Sequence, residues 1–225
     1  MIDRKGRADG RGMQAGLDMA EGTRTGSGGV VLAAGASRRM GIAKPLLEFP
    51  DGRRLLEVQL DVLRSGGCAP VVVVLGYQWE RVMPIVPTWV RWVFNPAWER
   101  GRFSSVTAGL RVLPRLPGYV LLPVDTAGVA PDTIAGLLKF ADERMPLAVR
   151  PTWRGASGRV MWISCMLAGM LVRLSARRDE FRLDHFFDSV SVRMETGDPA
   201  ILNNINTPED WRGYLAKSAS GIRGR

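Results

Sequence analysis

A three-layer α/β domain on a mostly parallel sheet is predicted by three observations. Apolar strands alternate with helical stretches, helix start and stop signals fall between them, and the unusual loops follow strand ends. Val30–Ala34 reads as the first, buried strand. A helix follows near Leu55–Ser65, stopped by Gly66-Gly67, and then a strand over Val71–Leu75. Next come a helix near Gln78–Met83, a strand over Arg91–Phe94, a helix near Phe103–Leu113 and a strand over Tyr119–Pro123. Pro131 suits a first helical position and opens a helix to Ala141, followed by a strand over Leu147–Val149. The last third is less regular. It reads as a loop over Arg150–Gly158, a strand near Val160, a helix near Met166–Leu174, strands around Val190–Met194 and Ala200–Leu202, and a closing helix near Pro208. In open α/β sheets of this Rossmann-like kind, ligands lie beyond the carboxyl ends of the strands.

At 225 residues, 46% of them hydrophobic, the chain is long enough for one domain with a full core. Residues 1–28 are rich in Gly, Arg, Asp and Thr without apolar periodicity and read as a disordered extension; 29–216 is the folded domain and 217–225 a basic tail. No apolar stretch approaches the roughly 20 residues that cross a bilayer, and no signal peptide is visible, so the expected place is the cytoplasm, with no membrane partner. Cys68, Cys165 and the lone His185 cannot close a zinc site, so any metal is a hard ion with oxygen ligands. The net charge of +9 invites a nucleic-acid reading. Against it, the first 29 residues carry five basic and four acidic side chains, and no Lys/Arg block appears elsewhere. No nucleic-acid partner is expected.

The run VVLAAGASRRMGIAK, Val30 to Lys44, carries the most chemistry. Ala33, Ala34, Gly35, Ala36 and Ser37 leave the backbone bare after a strand, so main-chain N–H groups can meet anionic oxygens. Arg39 adds a planar fork of donors and Lys44 a point charge. It is neither a P-loop, since Lys44 does not adjoin Gly41 and Pro45 replaces the hydroxyl residue, nor a dinucleotide fingerprint, since Ser37 and Met40 stand where glycines are needed. Asp125 ends another apolar strand and would bring a carboxylate to the same sheet edge. There it suits Mg²⁺, which takes one or two protein oxygens and keeps phosphate oxygens and water; Asn204 or Asn206 could give the second protein oxygen.

These residues resemble the molybdenum-cofactor nucleotidyltransferases. The family pattern L-A-[AG]-G-x-S-x-R-M-G-x-x-K is met at every fixed position from Leu32 to Lys44. Asn95-Pro96-Ala97-Trp98-Glu99-Arg100-Gly101, with Ser104-Ser105-Val106-Thr107-Ala108-Gly109-Leu110, is similar to its next block. Leu121-Leu122-Pro123-Val124-Asp125 resembles its metal-binding strand, and Asn204-Ile205-Asn206-Thr207-Pro208-Glu209-Asp210 its closing motif. The resemblance covers about Gly28 to Leu215 and implies a nucleotidyltransferase fold. It further implies transfer of an NMP group from Mg²⁺-NTP to a phosphorylated acceptor such as molybdopterin, with release of pyrophosphate and a molybdoenzyme as a candidate partner. By resemblance, Leu32, Ala33, Ala34, Gly35, Ser37, Arg39 and Lys44 bind the nucleotide. Gly76 borders the base, and Asn95, Gly101, Ser104 and Ser105 meet base or ribose, while Trp98 packs rather than stacks. Arg39, Lys44 and Asp125 are the catalytic set, and Asp125, Asn204 and Asn206 the metal ligands. Ala34 and Ala43 stand where the family's CTP users differ from its GTP users, which favours CTP.

A phosphate monoester is already ionised near neutral pH, so transfer needs positioning and charge neutralisation rather than a general base. Two departures bear on the acceptor. Asp125-Thr126-Ala127-Gly128 replaces the family's Asp-x-Pro-Leu, and Gly155-Ala156-Ser157-Gly158-Arg159-Val160 replaces G-x-x-G-H-P. Arg150, Arg154 and Arg159 could grip an acceptor by charge instead. A sugar phosphate as acceptor, or a non-catalytic nucleotide-binding partner of a molybdoenzyme, are the alternatives.

Overall fold

The computed structural model describes residues 26–175 and 183–222. Among them eight strands form one sheet: β1 (Ser27–Ala33), β2 (Val71–Leu75), β3 (Arg91–Phe94), β4 (Gly118–Pro123), β5 (Ala148–Trp153), β6 (Ala156–Ser157), β7 (Met161–Ser164) and β8 (Ser191–Glu195). The order is β3-β2-β1-β4-β7-β5-β6, with β8 paired to β5. The pairs β1–β2, β1–β4, β2–β3 and β5–β8 are parallel, whereas β7 runs antiparallel to β4 and β5. The α/β class and the mostly parallel sheet read from the sequence are therefore present.

Helices cover both faces, which is why the central strands are solid apolar runs. Val31 and Ala33 of β1 face one core with α1 (Leu55–Ser65), α4 (Pro131–Arg144) and α7 (Pro208–Ile222). Val30 and Leu32 face the other with α3 (Arg102–Val112), α5 (Cys165–Leu174) and α6 (Leu183–Val190). A short α2 (Trp79–Val82) adds Val82 to the first core. No helix among the described residues is long and apolar enough to cross a membrane.

Several local expectations are corrected. The expected loop after Arg150 is a hairpin: β5 continues to Trp153, and Arg154 and Gly155, both at positive φ, turn it into β6. Ala200–Leu202 is not a strand but part of a 3₁₀ turn over Pro199–Leu202. Asp198 caps it by accepting the Ala200 N–H at 2.9 Å, and Pro199 occupies the first position. Helix α6 occupies a stretch where no element was expected. The domain starts earlier than residue 29, since Ser27 belongs to β1 and its buried Oγ accepts the Trp162 Nε1–H at 2.9 Å. At the other end α7 runs through the expected tail to Ile222. The expected extension over residues 1–25, and residues 223–225, lie outside the described residues.

Candidate functional site

Strands β1 and β4 pair in register to Leu32–Pro123, so the chain leaving β1 and the chain leaving β4 emerge side by side at one sheet edge. The first is the 35–41 loop. Ser37 adopts a left-handed φ of 51°, and among the described residues one backbone-to-backbone hydrogen bond lies within the loop, Met40 N–H to the Ser37 carbonyl at 2.9 Å. Most of its amides remain for a ligand, and a Cβ on Gly35 would enter open space. The Ser37 hydroxyl accepts the Lys44 N–H at 3.2 Å, which closes the loop onto the 3₁₀ turn over Lys44–Leu46.

Lys44 reaches back across the sheet edge. Its Nζ donates to Asp125 Oδ2 and to Asn206 Oδ1, each at 2.9 Å, and the Lys44 and Asp125 side chains are 11% and 16% exposed. Arg159 bridges the other side, with a guanidinium nitrogen 2.6 Å from Asn204 Oδ1 and 3.6 Å from Asp125 Oδ2. Two cations thus converge on one carboxylate and two amide oxygens. Oxygen donors gathered on a cation are the hard set that Mg²⁺ or Mn²⁺ takes. No three His, Cys, Asp or Glu side chains gather among the described residues, so such an ion would rely on one carboxylate, amide oxygens and the ligand's own phosphates.

A cleft of about 220 Å³ lies over this edge. Of the residues expected in the site, Leu32, Ala33, Ala34, Gly35, Ser37, Lys44, Gly101, Ser105 and Asp125 line it. Asn204 and Asn206 join it through Arg159 and Lys44. Like those two asparagines, the other four lie outside the lining. Arg39 is exposed; its charge is a minor cause of the low Asp210 carboxyl, which is held down chiefly by the N–H groups of Asn206 and Thr207. Gly76 lets the Trp98 turn approach β1, because a Cβ there would sit 2.5 Å from the Ala34 carbonyl oxygen. Asn95 is buried; it donates to Ser104 Oγ at 2.9 Å and Ser105 Oγ at 3.1 Å, and accepts the Ala97 N–H, so it ties the end of β3 to the start of α3. Ser104 donates to carbonyl oxygens of Ala97 and Gly101. Trp98 does both things: it packs against the second core and lines the cleft.

Two contributors were not anticipated. Gln59 is fully buried on α1, and its Nε2 donates to the Val124 and Thr126 carbonyls at 3.0 and 2.9 Å, which fixes the backbone on both sides of Asp125. A polar residue within the apolar stripe Leu55, Leu56, Leu60, Leu63 was the available signal. Arg102 lines the cleft from the first position of α3, donating to Asp184 and to the Arg159 carbonyl at 2.9 and 3.0 Å. The closing motif is held to the carboxylate loop by main chain, the Ile205 N–H donating to the Asp125 carbonyl at 2.9 Å.

Comparison with known proteins follows the same lines. The family model described as the MobA-like NTP transferase domain matches residues 29–190. The molybdenum cofactor guanylyltransferase of Xanthomonas euvesicatoria is 31% identical over 81% of this chain and 91% of its own. The nicotine blue oxidoreductase of Paenarthrobacter nicotinovorans is 34% identical over 49% of this chain, which spans only 54% of that relative's length. Among solved structures, the Mycobacterium tuberculosis H37Rv protein Rv0371c in complex with manganese superposes with a TM-score of 0.64 at 25% identity, over 85% of this chain and 99% of its own.

Proposed function

We propose a specific activity for this chain, which belongs to the MobA-like NTP transferase family. It transfers a nucleoside monophosphate, CMP in preference to others, from an NTP to a phosphorylated acceptor of the molybdopterin type in the cytoplasm, releasing pyrophosphate. The carrying observation is the single knot at the sheet edge, where Lys44 Nζ is bound at 2.9 Å by both Asp125 and Asn206 beside a loop of unspent amides.

The 35–41 amides and Ser37 hold the polyphosphate, with the Arg39 guanidinium turning onto it from the rim. Lys44 places its ammonium where charge accumulates on the transferred group, and the low exposure of the pair strengthens that interaction. Asp125, with Asn206 or Asn204, would hold Mg²⁺, which when bound neutralises the α-phosphate as a Lewis acid. An acceptor phosphate oxygen forms the new bond to the α-phosphorus while the bond to the β-phosphate oxygen breaks. That oxygen carries no proton at neutral pH, so the site's want of a general base costs nothing. Gly101 and Ser105 lie along the cleft for base and ribose. Ala34 and Ala43 support cytidine by resemblance, and the manganese complex of the Rv0371c protein is consistent with a divalent ion here.

The deciding experiment is pyrophosphate release from each of the four NTPs with Mg²⁺, with and without molybdopterin. Acceptor-dependent release fastest with CTP is expected. Release fastest with GTP overturns the base assignment, and NTP binding without turnover leaves the molybdoenzyme accessory role in its place. Arg159, standing where the family pattern has His, favours one further arm with a sugar phosphate as acceptor.

A further inference from the structure

Arg102 is an unusually placed charge among the described residues. Its side chain is 20% exposed, and its Nε is buried with no hydrogen-bond partner among the described residues. A buried donor left unpaired on a cleft-lining guanidinium is costly. Burial is the leading cause that pushes its pKa down, and Arg159 and Arg150 add to it, while Asp184 and Asp125 oppose. The carboxylates on α6 compensate weakly, because Asp184 and Asp188, the partners of Arg102 and Arg150, are 68% and 63% exposed. Arg159 lines the same cleft, 38% exposed, with one guanidinium nitrogen committed to Asn204. Gly101, the residue that caps the start of α3, also lines the cleft, and a Cβ on it would meet nothing within 4 Å.

We infer that Arg102 and Arg159 form an oxyanion subsite that takes the phosphate of the acceptor at the Asp125 end of the cleft. The inference rests on the proposed transferase activity and assigns the acceptor half of that site. Two planar forks beside a helix N-terminus match a tetrahedral dianion able to accept on several oxygens. Arg159 is 3.6 Å from the Asp125 carboxylate, so an anion it holds lies beside the α-phosphate that this carboxylate's metal would neutralise. The subsite selects acceptors that carry a phosphate and rejects plain alcohols. It also replaces the histidine-containing late loop by charge.

Inorganic phosphate is the probe. It is titrated by calorimetry into the full chain with Mg²⁺, with and without a saturating CTP analogue whose α,β-bridging oxygen is a methylene. Arg159→Gln and Arg102→Gln should each weaken phosphate about tenfold, the loss of one charge-assisted pair, with Arg159→Lys intermediate. Analogue affinity should stay within about threefold of the parent, because the nucleotide is held elsewhere. Should Arg102→Gln fail to fold, Arg159→Gln, in a partly exposed loop, carries the test alone. Unchanged phosphate affinity in Arg159→Gln overturns the subsite. Failure of the analogue to bind the parent chain overturns the transferase reading instead, and the nucleotide-free arm still reads the subsite.

Discussion

Lys44 and Asp125 form one knot, yet their removal should be felt differently. Lys44→Ala takes away a preorganised donor and should lower turnover by ~100-fold or more, as loss of a single such donor does in other enzymes. Pyrophosphate release measures it, and a normal rate would take Lys44 out of the chemistry. Asp125→Asn keeps an oxygen for Lys44 but removes the negative charge. Its Mg²⁺ requirement should rise by about tenfold or more, read as the concentration for half-maximal release and, independently of turnover, as Mn²⁺ affinity by electron paramagnetic resonance. An unchanged metal response would free Asp125 from that role. The bare loop and the acid at the strand end were legible because their chemistry sits in contiguous residues. The partners were not: Lys44 meets Asp125 across 81 positions and Asn206 across 162, and no local pattern announces such pairs. Arg102 went unremarked in the sequence for the same reason, since its partners Asp184 and Arg159 lie far along the chain.

Elements set how far each position tolerates change. Gly35 and Gly76 both follow β-strands, but a Cβ on Gly35 meets nothing within 4 Å, whereas one on Gly76 would lie 2.5 Å from the Ala34 carbonyl oxygen and 2.7 Å from Trp98 Cβ. Main chain and a Cβ cannot swing aside, so Gly76→Ala should destabilise by roughly 1–3 kcal/mol, the usual range for overpacking. Gly35→Ala should leave stability unchanged and weaken NTP binding by filling the cradle. Urea unfolding and nucleotide titration separate the two; an unfolding midpoint for Gly76→Ala equal to the parent's would show that the turn does not press on β1. Strand β2 and helix α1 carried clear sequence signals, an unbroken Val-rich run and an apolar stripe closed by two glycines. Helix α6 did not, although Leu183, Phe186, Phe187 and Val190 keep helical spacing, because the apolar pattern runs straight on into β8. The Pro199–Leu202 turn misled because a buried Ile201 looks the same in a strand as in a capped turn.

At the scale of the whole molecule, the layer order followed from the alternation of elements, while the placement of β7 between β4 and β5 did not. Reversal of one strand is decided by which edges remain to be covered after β1 to β4 have paired, a tertiary matter. The overall charge of +9 has a use that local pairing does not exhaust. Lys44, Arg102 and Arg159 line one cleft that Asp125 alone opposes among its lining residues, so an incoming triphosphate meets a positive field before contact. That field decays over about 10 Å at 0.1 M salt and about half that at 0.5 M. Raising potassium chloride between these concentrations should therefore slow NTP association severalfold in stopped flow, with a smaller change in dissociation, because the contacts in the closed site are shielded from ions. An association rate flat in salt would mean that the basic surface acts only through its individual contacts.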